Sequence, residues 1–101
     1  MRMLMIVTTD PEEFNAAVKD GSAGEKIGRI LQETKHEAVY FTEMNGERTM
    51  MLIVDVEESS HIPSFAEPWF LTFNAQVQFH PVMTPDDLGK AGLEALGKKW
   101  G

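Results

Sequence analysis

Residues 36–56 read His36-Glu37-Ala38-Val39-Tyr40-Phe41-Thr42-Glu43-Met44-Asn45-Gly46-Glu47-Arg48-Thr49-Met50-Met51-Leu52-Ile53-Val54-Asp55-Val56. Two β-type runs, 36–44 and 48–56, flank Asn45-Gly46. Asn-Gly is the strongest short hairpin signal, because both central positions of a type I′ turn need positive φ. A two-residue loop also fixes the register. Glu43 faces Arg48, Phe41 faces Met50, Val39 faces Leu52 and Glu37 faces Val54. On the other side Thr42 meets Thr49, Tyr40 meets Met51, Ala38 meets Ile53 and His36 meets Asp55.

Upstream of the hairpin, Met3 to Thr8 is almost continuously apolar, as expected of a central strand buried on both faces. Asp10-Pro11-Glu12-Glu13 has the order of a helix start: a cap, a first-position proline and a capping-box acid. Ser22 with Glu25 repeats that signal, so helices are expected at about 11–20 and 23–35. Downstream, Ser59 or Ser60 caps a helix. Ile62, Phe65, Ala66, Trp69 and Phe70 recur there at helical spacing, and Pro68 is expected to kink or end it. Residues 74–83 read as a fourth strand. Ala75, Val77 and Phe79 point one way; Asn74, Gln76, Gln78 and His80 point the other. Thr84-Pro85-Asp86-Asp87 opens a last helix, whose narrow apolar seam is Leu88, Gly92, Ala95 and Leu96.

The order is β-α-β-β-α-β-α. It predicts one α+β domain over residues 1–101: a ferredoxin-like βαββαβ sandwich with a C-terminal helix and a four-stranded antiparallel sheet. Val39, Phe41, Met50, Leu52, Val54, Val77 and Phe79 should face the helices. The opposite face mixes Tyr40, Met51 and Ile53 with Thr42, Thr49, Gln76, Gln78, His36, Asp55 and His80. A solvated face has no need of the first three, and a dry core would not carry two glutamines. That mixture suits a homodimer interface or a partly polar ligand cavity.

Nine basic against sixteen acidic residues give a net charge of −7. So acidic a surface argues against nucleic-acid binding and against docking to anionic membranes. Cysteine is absent, which removes disulfides, thiolate metal sites and cysteine nucleophiles. The apolar N-terminal run is followed by Asp10-Pro11-Glu12-Glu13 rather than by a small-residue cleavage site, and it is far shorter than a membrane span. The expected location is the cytoplasm.

Met51-Leu52-Ile53-Val54-Asp55-Val56-Glu57, a short helix, and then Val77-Gln78-Phe79-His80-Pro81-Val82 carry a local likeness. On these segments and the element order, the chain resembles the dimeric α/β-barrel superfamily. Its nearest likeness there is to muconolactone-isomerase-like proteins and small stand-alone members of unknown function. The resemblance implies two sheets packed face to face, with small molecules bound between sheet and helices. It implies cofactor-free isomerase, lyase or oxygenase chemistry on a small organic acid or aromatic compound. The alternative is a non-catalytic dimeric ligand-sensing or assembly module, and haem degradation is a third expectation.

His36 and Asp55 are the sharpest catalytic candidates, since a carboxylate beside an imidazole fixes its tautomer and raises its basicity. The competing role is a strand-end hydrogen bond. Tyr40 and His80 complete the catalytic set by orienting a ligand and moving a proton. Interface packing for the tyrosine and a structural role for the histidine compete with that. Gln76, Gln78, Thr42, Thr49 and Trp69 are the candidate ligand-binding residues; Trp69 is equally suited to filling the core. No metal site is expected, because His36, His61 and His80 lie on three different elements without ligand spacing.

Overall fold

The computed structural model describes residues 1–101. In chain order the elements are β1 (Arg2–Thr8), α1 (Pro11–Asp20), α2 (Ala23–Glu33), β2 (Ala38–Met44), β3 (Glu47–Asp55), a single 3-10 turn (Ser59–His61), α3 (Ile62–Phe73), β4 (Gln76–Pro81), α4 (Pro85–Gly89) and α5 (Leu93–Trp100). The four strands form one antiparallel sheet in the order β2-β3-β1-β4. The architecture is α+β and compatible with a ferredoxin-like sandwich.

The hairpin forms as its turn residues dictate. Asn45 and Gly46 both take positive φ, 56° and 77°. The ladder runs from Ala38 opposite Ile53, through Tyr40 opposite Met51, to Thr42 opposite Thr49. Met5, Val7, Met50, Leu52 and Val54 point under the helices and are buried. There they meet Ala17, Ile30, Trp69 and Phe73. Each fully buried aliphatic side chain of this kind contributes about 1.5–3 kcal/mol. Phe73 stacks with Phe14 of α1 at 5.1 Å between ring centroids, which ties the first and third helices together.

Several expectations need correction. β1 is central, but only one of its faces is fully buried; Leu4 and Ile6, on the other face, are half-buried. Phe41 is 60% exposed, since β2 is an edge strand that extends past the helical layer. Neither Asp10 nor Ser22 makes a side-chain cap bond. Ser22 already has helical backbone angles, so its hydroxyl is not aimed at the first turn; its amide instead donates to the Asp20 carboxylate at 2.8 Å. Hydrogen bonding from Ser22 holds the Asp20 carboxyl below the usual carboxylate range.

Pro68 lies inside α3 without ending it, and the helix continues to Phe73. Asn74 is left-handed (φ 49°) and closes that helix rather than starting β4. The last helix is two pieces, broken where Gly92 takes φ 73°. Only its opening matches the expected capping: the Thr84 hydroxyl accepts from the Asp87 amide at 3.1 Å, and the Asp87 carboxylate accepts from the Thr84 amide at 3.0 Å. No helix is long and apolar enough to cross a membrane.

Candidate functional site

Strand alternation puts one set of side chains on the sheet face away from the helices. Register arranges them in three rows across the four strands. The rows are Ala38, Ile53, Leu4, His80; then Tyr40, Met51, Ile6, Gln78; then Thr42, Thr49, Thr8, Gln76. Read by column, the centre is apolar in the first two rows (Ile53, Met51, Leu4, Ile6) and polar in the third (Thr49, Thr8), where Thr49 is buried. The β4 column is polar (His80, Gln78, Gln76), and the β2 column carries Tyr40 and Thr42. An apolar centre with polar flanks is the anatomy of an interface core and rim.

Along β4, His80 Nε2 and Gln78 Oε1 are 3.1 Å apart. The amide oxygen can only accept, so Nε2–H donates in this contact, and Nδ1 has no partner. Tyr40 is 67% exposed and reaches no partner side chain. Tyr40 and His80 stand on opposite edges of the sheet and in adjacent rows, three strand spacings across and two residues along, about 16 Å apart. Within one chain they cannot act on the same small molecule.

The expected pairing of His36 with Asp55 does not form. The ladder ends at Ala38, and the Glu37 amide donates to the Ile53 carbonyl, which takes residues 36 and 37 out of register. The His36 Nδ1–H donates to the Thr34 carbonyl at 2.9 Å. Asp55 accepts from the Met1 amino group at 2.8 Å. That bond and the amino charge hold the Asp55 carboxyl below the usual carboxylate range. Both residues nonetheless line one polar hollow of about 220 Å³, with Lys35, Glu37 and Glu57.

The remaining candidates scatter. Gln76 lines a polar hollow of about 200 Å³ at the far end of the sheet, beside Asp10 and Asn74. Thr42 and Thr49 border a small crevice of about 120 Å³ at the β2 edge, formed with Phe14, Phe41, Arg48 and Met50. Trp69 is wholly buried in the core, and its indole N–H has no partner. The largest groove, about 700 Å³, lies between α2 and α3 on the outer surface and involves none of these residues.

Leu4 and Ile6 were missed as members of the open face. Reading β1 as buried on both sides hid its alternation; the register that sets Ile6 beside Met51 comes from the structure. No protein-family model matches the chain, and no curated protein matches it in sequence.

Proposed function

We propose that the chain is a homodimeric small-molecule-binding protein of the ferredoxin-like, dimeric α/β-barrel type, with the open sheet face as its interface. The observation that carries this reading is the row Tyr40–Met51–Ile6–Gln78, apolar at its centre and polar at both ends. A second copy packed on this face removes the apolar centre from water. It also brings the β2 column of one copy towards the β4 column of the other. With the two-fold axis along the strands, Tyr40 and Thr42 of one copy then face Gln78 and Gln76 of the other, with His80 one row away, so that each dimer has two equivalent sites. Such a site offers a phenol, a hydroxyl, an amide and an imidazole against an apolar floor, which suits a small organic acid or aromatic compound. His80, with its free Nδ1, is the group placed to accept a proton.

A second reading, a non-catalytic dimeric module, draws on the separation of His36 and Asp55 and on their engagement with Thr34 and Met1. Thermal unfolding against a panel of small aromatic and organic acids separates the two. A ligand at a hundred times its dissociation constant stabilises by about 2.7 kcal/mol. The binding reading expects such a shift in the wild type, and its loss in His80→Ala with the dimer mass unchanged. A panel without effect, combined with an interface whose open-face amides are all protected from hydrogen exchange, favours the module.

A further inference from the structure

The main chain of β2 has a paired side and a free one. The Thr9 amide donates to the Arg48 carbonyl at 3.2 Å, and the Val56 amide to the Met1 carbonyl at 2.9 Å. Antiparallel alternation then turns the main chain of Arg48, Met50, Leu52 and Val54 towards β1, and that of Glu47, Thr49, Met51 and Ile53 towards β2. Their partners on β2 are Met44, Thr42, Tyr40 and Ala38. The N–H and C=O groups of Val39, Phe41 and Glu43 therefore point outwards, past the last strand of the sheet.

The opposite edge is blunted. The Val82 amide donates to the Arg2 carbonyl at 3.2 Å, so Val77, Phe79 and Pro81 are the outward residues of β4, and Pro81 has no N–H to offer. β2 lacks such protection: it has no proline, no lysine and a single charge, Glu43. Its rings are exposed on both faces, Tyr40 by 67% and Phe41 by 60%.

We propose that β2 pairs edge to edge with β2 of a second copy of this chain, antiparallel about a two-fold axis through Phe41. Register selects that occupant. Phe41 is the midpoint of Ala38–Met44 and is an outward residue. A copy turned about it pairs the whole strand with its bonds in phase: Phe41 with Phe41, Val39 with Glu43, and Glu43 with Val39. On the open face Tyr40 meets Thr42, and Ala38 meets Met44.

Charge agrees with that register. Glu43 meets Val39 of the other copy, and its carboxylate is engaged at home, opposite Arg48 and accepting from the Gly46 amide at 2.9 Å. A slip of two residues one way sets Glu43 against Glu37, a like-charge pair, and the Glu37 amide already donates to the Ile53 carbonyl. The same slip the other way sets Val39 against Asn45 of the turn.

The area sets the strength. An aromatic side chain buries about 150–250 Å², so two rings exposed by 67% and 60% hold roughly 200–300 Å² per copy. A stable complex buries about 800 Å² per partner, so the pairing belongs to the weak, concentration-dependent class. It lies in the plane of the sheet, leaves the open face free, and stands independently of the sheet-face dimer.

Amide exchange followed by ¹⁵N NMR tests it. In dilute protein the Val39, Phe41 and Glu43 amides should exchange fast while those of Tyr40 and Thr42 are protected. The proposal expects the first three to slow about tenfold between about 10 μM and about 1 mM protein. Phe41→Lys and Phe41→Glu, each checked for folding by circular dichroism, should lose that protection, and an equimolar mixture of the two should regain it. Met51→Lys, which removes the sheet-face contact, should keep it. Exchange that stays fast throughout, even where a foreign extended peptide slows it, overturns the second copy as the occupant. So does a mixture no better protected than its components, or protection that disappears in Met51→Lys.

Discussion

Met51→Lys places the sheet-face interface at risk with the least damage to the fold. Met51 lies at the middle of the open face, between Tyr40 and Ile6. In a lone chain the lysine stem lies along those neighbours and the ammonium reaches water. Folding stability should then move by no more than about 0.5 kcal/mol. In the dimer, two-fold symmetry duplicates the change and two ammonium groups enter one desolvated contact. Burying an ion costs several kcal/mol even after relaxation; a floor of about 2 kcal/mol per copy gives about 4 kcal/mol, on the order of a thousandfold in dissociation constant. Sedimentation velocity over a concentration series measures the shift, and circular dichroism checks that the variant is folded. A folded variant whose dimer dissociates within tenfold of the wild-type constant would refute the reasoning.

Leu52→Ala removes a fully buried side chain from the middle of β3 and should cost about 2–5 kcal/mol. That lowers the melting temperature by at least about 8 °C, and a smaller loss would mean that the core lies elsewhere. Gly46→Ala meets nothing within 4 Å, so its cost is purely that of a left-handed backbone, about 1–2 kcal/mol; urea unfolding that shows no loss would contradict the type I′ turn. The Asp87 carboxyl is held below its usual range by hydrogen bonds from the backbone and side chain of Thr84. Its folded pKa is depressed, so the stabilisation is complete above the unfolded value of about 3.9 and is lost as pH falls through the folded one. A ¹³C carboxyl titration should show a midpoint below that of unfolded aspartate; one at or above it would mean that the cap is absent in solution.

The parts of the fold legible in the sequence are those set by short-range chemistry. Asn45-Gly46 fixed the hairpin register from Ala38 to Met44, because a two-residue turn leaves no freedom. Pro11 and the Gly21 interruption marked the ends of the first two helices, and alternation placed Val77 and Phe79 opposite Gln76 and Gln78. What failed depended on where the helical layer stops. Phe41 was assigned to the core by parity, but the helical layer covers the β2 edge only in part and leaves this ring largely exposed. His36 was placed opposite Asp55 by extending the ladder past the point where Glu37 leaves it. The break in the last helix turns on one left-handed glycine, Gly92, whose flanks, Ala91 and Leu93, are good helix formers. The candidate site was legible only as one face of a sheet; in the proposed dimer, which candidates meet there depends on a second copy that no residue spacing encodes.

The account rests on Leu4, Ile6, Met51 and Ile53 lying against their counterparts in another copy. An isotope-filtered NOE experiment on a mixture of ¹³C-labelled and unlabelled protein reads this directly. The account predicts cross-peaks from the labelled Ile6 and Ile53 methyls to protons of an unlabelled copy. A dimer of confirmed mass that lacks these cross-peaks, or that shows them from Leu71 on α3 instead, would contradict it.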